Sequence, residues 1–86
     1  MPVVDKLTKN RLKDYAKQQL NDCKGKLFNY RILDADLAVI NSGICSIEDI
    51  QYDELINNDV YTIKDINTQS SFIVDFFHIL VEEKKD

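Results

Sequence analysis

The chain has 86 residues, 44% of them hydrophobic and 30% charged, the balance of one folded domain rather than a disordered chain. At this length roughly 60–65% of the unfolded surface is buried on folding, so the core is modest and leaves little room for a deep cleft. The net charge of −4 is unevenly spread, with eight basic against three acidic side chains in residues 1–31 and three basic against twelve acidic in residues 32–86.

The first predicted element is a helix from about Lys6 to Lys24, where Leu12, Tyr15, Ala16, Leu20, Cys23 and Leu27 recur at steps of three and four. Gly25 is placed to end it in the left-handed conformation. The stretch Leu27–Asn41 is two-sided. Phe28, Tyr30 and Ile32 alternate as in a strand, whereas Leu33, Leu37 and Ile40 repeat as in a helix. Its length without a breaker favours the helix, stopped by Ser42-Gly43.

Two similar segments follow, Ser46-Ile47-Glu48-Asp49-Ile50 and Thr62-Ile63-Lys64-Asp65-Ile66. Each sets a hydroxyl three residues before an acid, a pattern that suits the start of a helix. They predict helices over 47–57 and 63–83, the latter starting near Thr68 instead if Asn67 or Thr68 caps it, with Asn57-Asn58-Asp59 as the turn between. In the last helix Ile63, Ile66, Ser70, Ile73, Phe77 and Leu80 form one apolar seam. Phe72, Phe76 and Ile79 form a second row beside it, a candidate protein-binding surface.

The expected architecture is therefore an all-α bundle of about four helices in one domain, 1–86, with about 60% helix. The alternative is an α+β fold with a small sheet from residues 27–32 and 60–63. Cys23 and Cys45 have neither zinc nor disulfide spacing and read as free thiols. The longest apolar run, Phe72–Val81, is broken by Asp75 and His78. It falls short of the about 20 residues a membrane span needs, and no leader is visible, so the expectation is a cytoplasmic protein with no membrane partner.

No phosphate loop, zinc motif or nucleophile triad is present in the sequence, so no enzyme activity, cofactor or metal is expected. His78 with Asp75 and Glu82 would share a helix face, but one histidine between carboxylates reads as an ordinary core edge. The pairs Asp34/Asp36, Glu48/Asp49 and Asp53/Glu54 read as solvated faces rather than as paired catalytic acids. A helix-turn-helix over 38–55 is excluded as a DNA reader, because its second helix would carry Glu48, Asp49, Asp53 and Glu54 and no base.

What remains is an interaction protein, a regulator or inhibitor whose partner is another protein, with a homodimer as a further option. Its candidate surfaces are the acids Asp34, Asp36, Glu48, Asp49, Asp53, Glu54, Asp59 and Asp65, and the row Phe72, Phe76 and Ile79. The acids could imitate DNA phosphates against a basic groove, a device that would suit a phage or mobile-element inhibitor. The alternative is a nucleic-acid-associated regulator using Lys6, Lys9, Lys13, Lys17 and Lys24, which line one side of the first helix. The acidic total argues against nucleic acid as the partner.

Overall fold

The computed structural model describes residues 6–84, with side chains from Asn10 onward. One helix, α1 (Lys6–Cys23), precedes five strands, β1 (Phe28–Leu33), β2 (Val39–Asp53), β3 (Asn58–Asp65), β4 (Ser71–Asp75) and β5 (Ile79–Glu83). A single turn of 3-10 helix, Phe76–His78, joins β4 to β5. The strands form one antiparallel sheet in the order β4-β3-β2-β1-β5.

The all-α expectation is thus overturned. Only the first predicted helix exists, and Gly25 does follow it at φ 75°. The predicted helices over 27–41, 47–57 and 63–83 are strands and turns. The alternative sheet segments, 27–32 and 60–63, do fall on β1 and β3, but the sheet runs far beyond them.

The sequence favours strands for reasons of pairing. Phe28, Tyr30 and Ile32 point inward from β1 between exposed Asn29 and Arg31, a period of two that half-buried strands require. β3 repeats the pattern with Tyr61, Ile63 and Asp65 inward. On β2 the period slips. Its pairing with β3 shifts between Ile47 and Asp49, and a bulge of this kind adds one residue and bends the strand. The buried positions become Cys45, Ile47 and Ile50. Their steps of two and then three break the alternation that marks a strand.

β2 is the spine of the fold. Its first half pairs with β1 and its second half with β3, so the two hairpins are staggered along it. α1 packs against β2, with Lys13, Ala16, Lys17 and Leu20 beside residues 49–52 of its second half. The core joins Ala16 of α1 to Phe28, Tyr30, Ile32, Cys45, Ile47, Ile50, Tyr61, Ile63 and Ile79, with Leu20, Cys23, Phe72 and Val74 packed around it.

Aspartates build the turns. Asp34 accepts from the backbone N–H groups of Asp36 and Ala38, both at 2.9 Å. Asp53 accepts from Leu55 N–H at 2.8 Å. Asp65 accepts from Asn67 and Thr68 N–H at 2.8 and 3.0 Å, and Asp75 from Phe77 N–H at 2.9 Å. Each side chain supplies the acceptor that a tight reversal otherwise lacks. The acids that look like a charged surface in the sequence are in part the joints of the sheet.

Candidate functional site

Strand register defines one end of the molecule. Leu33 pairs with Val39, Ile32 with Ile79, and Arg31 with Leu80. The hairpin Leu33–Val39 and the 3-10 turn before Ile79 therefore lie toward the same end of β1. Six large apolar side chains are exposed there: Leu37, Val39 and Ile40 from the hairpin, Phe76 and Phe77 from the 3-10 turn, and Leu80 from β5. Phe76 and Phe77 stand edge to face, with ring centroids 5.9 Å apart. Behind them Tyr61, Phe76, Ile79, Leu80 and Val81 line an open apolar hollow.

Leu37 adds an independent sign. It is 65% exposed and sits at φ 64°. A leucine in the left-handed region costs roughly 1–2 kcal/mol relative to the right-handed one, which glycine or asparagine largely avoids. An exposed apolar side chain held in a strained backbone is a pointer toward function. The loop that holds it is tightly made, with Asp34 N–H donating to Ala38 O at 2.9 Å and Leu37 N–H to Asp34 O at 3.0 Å.

The predicted apolar row does not survive as a row, because the helix that would align it is absent. Ile79 is buried in the core. Phe72 is half-buried on β4, with its ring 6.2 Å from that of Tyr30. Phe76 alone of the three is exposed at this end. Phe77, expected to lie in the core seam, is 54% exposed.

The acidic candidates are dispersed. Asp34 and Asp36 lie in the β1–β2 hairpin, beside Leu37. Glu48 is exposed on β2 and accepts from Ser46 Oγ at 2.8 Å. Asp49, Asp53 and Glu54 line a shallow outer groove with Gln51, Val60, Thr62 and Ile73. Asp59 is half-buried, and burial pushes its carboxyl above the ordinary value. Asp65 is not a surface residue at all. It is buried and accepts from Tyr30 Oη at 2.6 Å. The reason is parity: an inward position on β3 reaches the inward Tyr30 of β1 over Gly43 of β2.

That buried pair is structural. The Tyr30 hydroxyl, with the Thr68 and Asn67 N–H groups, holds the Asp65 carboxyl below its usual value. Burial, then the bond to Asp65, pushes the Tyr30 hydroxyl up to about 12. Burial and the Asp65 charge push the Cys45 thiol up to about 11. A thiol so protonated and enclosed is a poor nucleophile at neutral pH.

The lysine stripe is described only in part. The side chains of Lys6 and Lys9 lie outside the described residues. Lys13 and Lys17 are exposed on α1 and Lys24 in the turn after it. Lys13 Nζ is 3.5 Å from Glu54 Oε1, an exposed pair that contributes about 0–1 kcal/mol. His78 Nδ1 lies 2.8 and 3.0 Å from the two oxygens of Asp75, a contact within the 3-10 turn that leaves Glu82 out. Among the described residues no group of three or more His, Cys, Asp or Glu is placed to hold a metal, and no helix is long and apolar enough to cross a membrane. Comparison with protein-family models, with curated proteins and with solved structures gives no match.

Proposed function

We propose that this protein is a non-enzymatic interaction module, a regulator or inhibitor, that docks another protein on the apolar end of its sheet. The observation that carries this reading is Leu37, exposed and in a strained left-handed conformation at the end of the sheet that also exposes Val39, Ile40, Phe76, Phe77 and Leu80. Isolated proteins seldom leave large contiguous apolar patches in water, and patches with a polar rim mark contact sites. Here Val39, Ile40, Phe76, Phe77 and Leu80 are the apolar centre, and Asp34 and Asp36 stand at its rim. The matching partner surface is an apolar patch with basic side chains beside it.

Two variants separate binding from folding. Leu37→Asn relieves the backbone strain, so its melting temperature should equal or exceed that of the parent. Phe77→Asp places a charge on an exposed ring position and should leave the fold intact. Both should lose, by tenfold or more, the protein that the parent retains from a lysate of its source cell. Retention of the same protein at the same yield by both folded variants would refute the assignment.

A further inference from the structure

The sheet has two outer edges, and they are not equivalent. β5 ends in Glu82 and Glu83, with Lys84 directly after it, and charges of this kind protect an edge from pairing. β4, Ser71-Phe72-Ile73-Val74-Asp75, has its only charge at its last residue and carries neither lysine nor proline nor bulge. Its central residue, Ile73, points outward and is 77% exposed.

We propose that β4 pairs with β4 of a second copy of this chain, antiparallel and with the two-fold axis at Ile73, to join the two sheets into one. Backbone direction supports this register. The β3–β4 hairpin closes with Asp65 N–H donating to Ser70 O at 2.9 Å. Bonded and non-bonded rungs alternate from there in an antiparallel pair. Phe72 and Val74 therefore direct their N–H and C=O groups to β3, while Ser71, Ile73 and Asp75 direct theirs to the open edge. A two-fold axis at Ile73 sets Ser71 opposite Asp75 of the second copy and Ile73 opposite its own counterpart. Each of these rungs then exchanges both backbone bonds.

The side chains agree with the register. Ile73 meets Ile73 on the outer face and loses its exposure. Ser71 lies opposite Asp75, whose carboxylate is held by Phe77 N–H and His78 Nδ1, so no like charges are opposed. Repeating the operation on β5, with the axis at Val81, would set Leu80 against Glu82 and Ile79 against Glu83, an apolar side chain opposite an acid at each rung, and Glu83 already lies 3.8 Å from Lys26 Nζ. The charge pattern thus selects β4. A five-residue edge buries little area, so the dimer is weak and forms at high concentration.

Sedimentation over a concentration series up to about 1 mM tests this, together with amide exchange by NMR. The parent should move from monomer to dimer. The amides of Ser71, Ile73 and Asp75 should slow at least tenfold with it, while those of Phe72 and Val74 stay protected throughout. Ile73→Lys, at an exposed position, should remain folded and monomeric. Glu82→Lys, at an exposed position on β5, should dimerise like the parent. A parent that stays monomeric across the series, an Ile73→Lys variant that dimerises, or dimerisation without slowing of the three edge amides would overturn the proposal.

Discussion

Gly43→Ala is expected to be among the most destabilising small substitutions in the chain. A Cβ built on Gly43 falls 2.6 Å from Asp65 Oδ2 and 3.2 and 3.3 Å from Tyr30 Cε1 and Oη. These atoms are not free to retreat. Asp65 is held by Tyr30 and by the Asn67 and Thr68 N–H groups, and Tyr30 is 2% exposed and packed on Phe72. The glycine sits at the rung opposite Tyr30, so the added methyl must displace the hydrogen bond that ties β1 to β3 across β2. Overpacking of this kind costs about 1–3 kcal/mol and occasionally more, and the fixed neighbours put Gly43 at the upper end. With about 4–8 °C per kcal/mol for a domain of this size, a thermal melt should fall by roughly 10–20 °C. Gly25→Ala gives the contrast. Nothing lies within 4 Å of its Cβ, so only the φ of 75° is penalised, at about 1 kcal/mol.

Ile63→Ala is expected to cost about 2–5 kcal/mol, the range for truncating a buried aliphatic side chain. Ile63 is fully buried and lies between Ile47 on β2 and Phe72 on β4, so the cavity has walls on both neighbouring strands. Phe77→Ala should change stability far less, within about 1 kcal/mol, because its ring is half exposed on the 3-10 turn. Urea denaturation of the two variants measures this directly. The ordering inverts what a helical seam implies, since Ile63 and Phe77 would there be equivalent members of one buried stripe.

That inversion shows where sequence reading stops. α1 is legible because its steps of three and four have no competing period and Gly25 marks its end. The sheet is hidden by three local coincidences. The hydroxyl-then-acid pattern of Ser46 and Asp49, and of Thr62 and Asp65, imitates a helix start, while the β2 bulge breaks the alternation that marks a strand. Leu33, Leu37 and Ile40 straddle a hairpin rather than a helix face. The seam Ile63, Ile66, Ser70, Ile73, Phe77 and Leu80 runs through strand, turn, strand, 3-10 turn and strand. The strand signal is nonetheless present in Phe28-Asn29-Tyr30-Arg31-Ile32 and in the aspartates that open the turns at Asp34, Asp53, Asp65 and Asp75. Of the candidate site, Phe76 was within reach of the sequence. The hairpin tip was not, because the exposure of Leu37, Val39 and Ile40 depends on the pairing that turns the chain there.

The central claim is that the chain from Asn58 to Glu83 is extended and bent at Phe76–His78, which is what leaves the aromatic pair and the hairpin tip outside. Backbone carbon chemical shifts over residues 58–83 test it most directly. Strand-type shifts are expected over 58–65, 71–75 and 79–83, interrupted at 66–70 and 76–78, with cross-strand contacts between the Hα protons of Thr62 and Ile73. An unbroken run of helical shifts from Ile63 to Glu83 would contradict it, and the apolar end would cease to exist as a surface.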